Sequence, residues 1–496
     1  MEEANWFNKK RSTYLLTGLI IVGAGMRLYG LSVQSLWWDE LVSWLFSSRD
    51  TLGEVLQEVG RDVHPPLHSI LLYFVEQYLG DSEFWLRLPS AIFGVLAIPS
   101  MYLLGKRLFG RQEGIWAAIL TTTLMFPIYY SQEARDYALL FLFCVLGMFF
   151  WIPILRAQVV PDEIKPFSKT GCLLYGLVSV ATIYTHHYGS IMVALQGLGL
   201  ILAGQLSPKK ALRVIGLYLP IVGLSIPIWM QAIGQYHGNT LTWLSDPSFD
   251  LFTATYYTFF NRSELVKNLA LVICLVPLFR LCVKSIKQRD ASQFGLRRSL
   301  EIWVLVFWLV LPFCVGSLGT LLLKPMITIR YLIVSAPAAY LLLARGISVI
   351  SKRVSIQHAL GIFFTLVALV DLFAIKQYYW TPKKDQWRET AAQIIKVNKQ
   401  PDRNLMIGCV WRPAFVNYYF ERLGSELRLS IEASRQTDFP NLRKAIQAKK
   451  PDTIWFVRIH RPLDQKLLEL LQKNYRETSH VKFINADIWS FVRPET

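Results

Sequence analysis

Charge is scarce in this chain. Only 18% of its 496 residues are Asp, Glu, Lys or Arg, against 53% hydrophobic and 14% aromatic. That shortage excludes a disordered chain and argues against an ordinary soluble globular protein. Cysteine is scarce too. Cys144, Cys172, Cys274, Cys282, Cys314 and Cys409 show no metal-ligand spacing, so neither a disulfide framework nor a zinc site is implied. Most lie in or beside apolar segments, where a buried thiol is the default. There is no internal repeat and no low-complexity tract. Acidic residues are the rarer sign, 35 against 52 Lys and Arg, for a net charge of +17. In a soluble protein that balance would point to nucleic acid. Here it fits Lys- and Arg-rich cytoplasmic loops, and no nucleic-acid partner is expected.

What is abundant is long apolar blocks, at or near the length that crosses a ~30 Å bilayer core as helix. The first, Tyr14 to Leu31, follows Lys9, Lys10 and Arg11 and lacks a small-residue cleavage site. It reads as a retained span with a cytoplasmic N-terminus. Pro66 to Leu79 is apolar but short and carries His68, Glu76 and Gln77. An amphipathic helix in the membrane surface suits that length better than a span. Loop charge agrees. If this segment does not cross, the clusters Lys106/Arg107/Arg111, Arg156/Lys165/Lys169, Lys209/Lys210/Arg213, Lys284 to Arg298 and Lys352/Arg353 all fall inside. The expected spans are 14–31, 88–108, 114–130, 137–156, 171–186, 188–206, 211–231, 265–284, 300–323, 328–348 and 355–376, about eleven helices. The large loops, 32–87 and 232–264, then lie outside.

The character changes near Trp380. Charges become frequent and apolar runs shorten to strand length. Asn404–Val410, Thr453–Val457 and Val481–Ile484 read as strands; Gln386–Val397, Arg412–Glu421, Asn441–Lys449 and Leu463–Lys473 read as helices. The expectation is a polytopic α-helical membrane domain over 1–378 and a small α/β domain outside the membrane over 379–496. The latter has no Gly-rich phosphate loop, so no nucleotide site is expected there.

Five polar constellations sit at the outer ends of spans. Leu36-Trp37-Trp38-Asp39-Glu40 pairs two acids with two Trp residues. It is either an aromatic interface anchor with solvated acids or a general base beside an apolar wall that tunes its pKa. Arg61-Asp62-Val63-His64-Pro65-Pro66-Leu67 holds a lone His on a rigid approach. His64 is either polar loop surface or a ligand for a phosphate oxygen or a metal. Tyr129 to Tyr137 packs Glu133, Arg135 and Asp136 into one turn. Charges so placed are costly unless they pair or serve a site. Arg135 offers a fork for phosphate, Glu133 an acid to orient it or to bind acceptor or metal, and the bland alternative is a helix-capping pair. Thr185-His186-His187 turns one apolar run back on itself, with adjacent His residues that point apart on a helix. Thr328-Ile329-Arg330-Tyr331 puts an Arg where it could bind a lipid phosphate or snorkel as an anchor. Arg27 and Arg87 are weaker cases of the same kind.

These pieces in this order resemble the GT-C membrane glycosyltransferases, in particular the bacterial branch of protein-mannosyltransferase and aminoarabinose-transferase-like enzymes. The resemblance rests on Trp38-Asp39-Glu40, His64-Pro65-Pro66-Leu67, Arg87-Leu88-Pro89-Ser90, Leu108-Phe109-Gly110, Tyr130-Ser131-Gln132-Glu133-Ala134-Arg135, Thr185-His186 and Arg330-Tyr331. It implies the GT-C fold, with interfacial helices in the first outer loop. It implies a polyprenyl-phosphate sugar donor, inverting transfer to an acceptor hydroxyl (lipid, protein or glycan) and an outward-facing site in a bacterial plasma membrane. By residue it implies Asp39 as base with Glu40 beside it, and Glu133 as second acid. Arg135, Arg330, His64 and Tyr331 would meet the donor phosphate. His186, His187, Asp136, Arg27 and Arg87 are further candidates. Some relatives use a divalent metal ion, and the sequence leaves its need open. The extra His187 and the Gln386 between Asp385 and Trp387 depart from the pattern.

Two rivals stand beside this reading. A flippase or secondary transporter would place charge near the membrane midplane, where this sequence has almost none. A non-catalytic assembly protein would leave the outer charges unexplained.

Overall fold

The computed structural model describes residues 9–159, 168–203, 208–238, 244, 247–287, 293–398, 404–409, 412–429, 431–432, 438–460, 462 and 465–494. Lys165, Val410, Leu463 and the 288–292 part of the expected basic loop lie outside these residues. The chain divides into two compact units, Met1–Leu31 with Phe46–Tyr378 and Ser32–Leu45 with Tyr379–Thr496. One division of the units falls between Tyr378 and Tyr379. The segment Ser32–Leu45, expected in the membrane domain, groups instead with the C-terminal residues.

The larger unit is helical. Its helices include α1 (Lys9–Leu28), α3 (Leu52–Arg61), α4 (Leu67–Leu79), α5 (Glu83–Leu108), α6 (Arg111–Thr123), α7 (Met125–Ser131), α8 (Tyr137–Val159), α9 (Lys169–Thr185), α10 (His187–Ala203) and α11 (Pro208–Gly238). They continue with α12 (Phe249–Phe259), α13 (Glu264–Lys287), α14 (Gln293–Leu322), a 3-10 turn (Ile329–Ser335), α15 (Ala336–Val349) and α16 (Val354–Val370). The helix α2 (Trp38–Ser47) contains a unit boundary. Among the described residues, seven helices are long and apolar enough to cross a membrane: α5, α8, Pro208–Gln235, Glu264–Val283, Leu300–Leu322, Ile329–Val349 and Val354–Ile375. The other expected spans map to α1, to the pair α6 and α7, and to α9 and α10, which have 17 residues each. At 13 residues α4 reaches only roughly 20 Å, short of the ~30 Å core.

The expected span 114–130 is broken. Leu124 is extended (ψ 140°) between α6 and α7, which frees the Met125 N–H. Asn261 Oδ1 accepts that N–H at 2.7 Å, and Asn261 Nδ2 donates to the Ala368 carbonyl at 3.0 Å. A buried break is tolerable only when its backbone groups find such partners. Gly94 of α5 lets α7 lie close, since a Cβ there would meet Ser131 Oγ at 1.9 Å. The short α7 therefore delivers the turn 131–136 into the interior, and Glu133, Arg135 and Asp136 are all buried.

The smaller unit has a five-stranded sheet of order β2-β1-β3-β5-β4. The strands are β1 (Asn404–Cys409), β2 (Ile431–Glu432), β3 (Thr453–Ile459), β4 (Arg476–Phe483) and β5 (Ala486–Val492). β1 pairs in parallel with β2 and β3, and β5 runs antiparallel to β3 and β4. Its helices are α17 (Trp387–Val397), α18 (Ala414–Arg422), α19 (Phe439–Lys449) and α20 (Gln465–Gln472). β3 and β5 are buried along nearly their whole length, as apolar central strands must be. β4 is charged and exposed, which suits an edge. The polar residue of β5, Asp487, bonds Arg458 Nε at 2.7 Å and His480 Nε2 at 2.9 Å, partners on the two neighbouring strands.

Candidate active site

In the larger unit the turn after α7 and the loop before α4 meet. Arg135 Nη2 lies 3.0 Å from His64 Nε2, and His64 Nδ1 lies 2.8 Å from Asp62 Oδ2. The His64 ring faces His186 (centroids 5.9 Å) and Tyr331 (6.5 Å), and Tyr331 packs on His186 at 4.5 Å. Gln231 of α11 donates to the carbonyls of Val59 and His64, which fixes the loop. Arg330 acts electrostatically on Asp136, His186 and Tyr331. One cluster thus unites five expected residues: His64, Arg135, His186, Arg330 and Tyr331.

Two members are poised for a guest. His186 Nδ1 accepts the Tyr188 N–H at 3.0 Å, so the ring proton sits on Nε2. Among the described residues that buried Nε2 has no hydrogen-bond partner, and neither do the two buried carboxylate oxygens of Asp136. Burial raises the Asp136 carboxyl above its ordinary range, and His64, Arg135 and Arg330 only partly offset it. Glu133 is fully buried beside Tyr129 and Tyr130. Burial pushes the Asp62 carboxyl up, but the hydrogen bond with His64 and the charge of Arg135 leave it below its usual range. His68, behind this cluster, is held down to about 3 by burial and by Arg135 and His64, so its ring is neutral.

Other expected candidates are engaged elsewhere. Arg27 donates to the carbonyls of Gly23 (3.2 Å) and Thr121 (2.6 Å), tying α1 to α6. Arg87 donates to the Leu31 carbonyl at 2.6 Å. His187 bonds Gln235 at 3.2 Å, so the adjacent histidines part as expected. Among the described residues no group of three or more His, Cys, Asp or Glu could hold a metal ion.

Asp39 and Glu40 begin α2 in the smaller unit. Asp39 is half-buried. Glu40 is fully buried, and its Oε2 accepts from the Trp37 N–H at 3.2 Å and from Lys384 Nζ at 3.1 Å. Trp38 stacks on His460 at 4.8 Å, and His460 Nδ1 bonds Asp385 at 2.9 Å. Burial raises the Asp385 carboxyl, yet hydrogen bonds from His460 and Asn485 hold it below its ordinary range. Leu36 N–H bonds the Tyr419 hydroxyl at 2.6 Å, Ser35 bonds the Asp385 carbonyl, and Gln34 accepts the backbone N–H of Lys383 and Lys384. Lys384 and His460 carried no signal of this partnership in the sequence, because Glu40 lies 344 residues from Lys384 and Asp385 lies 75 from His460.

An apolar cavity of about 680 Å³ runs along α9 and α11 in the larger unit. Leu173, Leu177, Tyr184, Leu217 and Leu224 line it, with Arg213 also in its wall. Leu67, the residue after His64-Pro65-Pro66, lines it too.

The fold is that of the GT-C membrane glycosyltransferases. The chain matches ArnT from Cupriavidus metallidurans bound to undecaprenyl phosphate with a TM-score of 0.56 at 12% identity, over 97% of this chain and 98% of that one. It matches the Archaeoglobus fulgidus oligosaccharyltransferase AglB, in complex with an inhibitory peptide and a dolichol-phosphate, with a TM-score of 0.51 at 11% identity, over 99% and 75%. Residues 63–230 match the family of dolichyl-phosphate-mannose-protein mannosyltransferases. No curated protein sequence matches the chain. The family match and the shared fold together support a membrane glycosyltransferase of the GT-C superfamily.

Proposed function

We propose that this protein moves a sugar from a polyprenyl-phosphate donor to an acceptor hydroxyl on the outer face of a bacterial plasma membrane, through about eleven spans. The observation that carries the reading is the partly buried cluster of Arg135, His64, Arg330 and Tyr331 beside the Asp136 carboxylate and His186 N–H, which are unmatched among the described residues. Two guanidinium groups suit a lipid phosphate, and an unmatched acceptor and donor suit the hydroxyls of a sugar. The ArnT and AglB structures hold lipid phosphates, which favours the same ligand class here. The apolar cavity beginning at Leu67 suits an isoprenoid chain.

In this scheme Asp39 takes the acceptor proton as its oxygen bonds to the anomeric carbon, and the configuration inverts. The bond from that carbon to the phosphate oxygen breaks, and its electron pair stays on the phosphate. Arg135 and Arg330 stabilise the charge that develops there. Glu133 orients the acceptor as second acid. Glu40 serves by position, since its carboxylate is already held by Trp37 and Lys384. The acceptor is a lipid, protein or glycan, and the 379–496 residues act outside the membrane.

The test is transfer in liposomes from a panel of radiolabelled polyprenyl-phosphate sugars, with crude acceptor extract, with and without EDTA. Wild type is expected to turn over at least one donor. Asp39→Asn is expected to lose ~10²–10⁴-fold in rate while still binding donor. Full transfer by Asp39→Asn would overturn the base assignment, and no turnover of any donor by folded wild type would overturn the class of reaction.

A further inference from the structure

We infer that Asp62 is a positioning residue that acts through His64 to aim the Arg135 guanidinium at the donor phosphate; this rests on the donor class proposed above. A guanidinium only donates hydrogen bonds. At 3.0 Å from Arg135 Nη2, His64 Nε2 must therefore present its lone pair. The ring proton then sits on Nδ1, 2.8 Å from Asp62 Oδ2, and Asp62 accepts it. Asp62 thus selects one of the two neutral tautomers, and only that one can hold Arg135.

Pro65 and Pro66 stiffen the backbone after His64, and Gln231 holds its carbonyl. The Arg135 carbonyl accepts from Ser90 Oγ at 3.0 Å, which anchors the backbone but not the fork. The guanidinium lies 5.8 Å from the centre of the Tyr137 ring, and His64 Nε2 accepts one of its N–H groups. A fork aimed in advance loses less freedom when phosphate arrives. Without Asp62 the proton can move to Nε2, where it opposes the Arg135 N–H and turns the fork away.

The experiment uses the full-length protein in liposomes. It measures kcat and KM for the lipid-linked sugar and the Kd for undecaprenyl phosphate alone. Asp62→Ala is expected to raise KM and Kd about 10-fold with kcat within about 3-fold, the size of one charge-assisted hydrogen bond. Asp62→Asn keeps an acceptor for Nδ1–H and is expected to restore most of the affinity. In an Arg135→Ala background, Asp62→Ala is expected to add nothing, because its effect runs through the missing guanidinium. A merely structural Asp62 would instead weaken both backgrounds alike and would not be rescued by Asn. Unchanged KM and Kd in Asp62→Ala, or an undiminished effect without Arg135, overturns the inference while wild-type turnover keeps the functional reading. Wild type that neither binds undecaprenyl phosphate nor turns over any donor overturns both.

Discussion

The two polar regions of this protein are built on opposite plans. Around Asp39 the buried carboxylates and the Leu36 N–H are matched: Glu40 with Lys384 and Trp37, Asp385 with His460 and Asn485, Leu36 with Tyr419. Around Arg135 they are left partly open, with the Asp136 carboxylate and the His186 Nε2 unmatched. A matched network holds a shape, and an open one waits for a ligand. The difference teaches that the smaller unit fixes the segment that carries Asp39, whereas the larger unit keeps binding capacity in reserve.

Removing a partner should therefore cost stability in the first region. Lys384→Met leaves the fully buried Glu40 carboxylate without that cation. The expected loss is ~3–5 kcal/mol, read as a lower unfolding temperature of the purified protein. Adding Glu40→Gln should recover most of it, because the stranded charge is gone. If Lys384→Met unfolds like wild type, the matched plan is wrong for this region.

The same contrast explains what could be read from the sequence. The positions of the long apolar helices, the short helix α4 and most elements of the smaller unit follow from apolar runs and their length, which are local properties. So does the charge-dense turn at Glu133 to Asp136, because ionisable residues between apolar runs stand out. The break at Leu124 was hidden, since its partner Asn261 is far along the chain. β5 was hidden because Asp487 and Ser490 interrupt its apolar residues, and only the sheet supplies their partners. Arg27 and Arg87 looked like Arg330 by residue type, yet backbone carbonyls engage the first two. The grouping of Ser32–Leu45 with the C-terminal residues also depends on contacts beyond any local pattern.

In the open region a substitution should move function and stability in opposite directions. Asp136→Asn relieves a buried carboxylate whose burial outweighs the groups that favour its charge. The expected gain is ~1 kcal/mol in stability, with a fall of ~10-fold or more in transfer. Thermal unfolding and initial rates on one preparation decide this. A loss of stability together with unchanged transfer would show that Asp136 belongs to a matched network after all.

The smallest expected effect is a difference in pH response between single carboxylates of the two units. Glu76 of α4 is raised to about 8, chiefly by burial, with Asp81 adding to it and the Ser47 hydroxyl opposing it. Because its folded value lies above the unfolded one, ~4.3, its contribution is fully present below about pH 4 and is lost as pH rises toward about 8. Asp385 is shifted the other way, so its contribution is present above the unfolded value and is lost as pH falls through the lowered folded value. Glu76→Gln should therefore flatten the decline in unfolding temperature on the alkaline side and leave the acid side unchanged. Asp385→Asn should weaken the acid-side decline and leave the alkaline side unchanged. Unfolding temperatures taken from about pH 2 to about pH 9 separate the two, since each variant should alter one limb alone. A change of the alkaline limb in Asp385→Asn would mean that the His460–Asp385 pair does not set this group's charge.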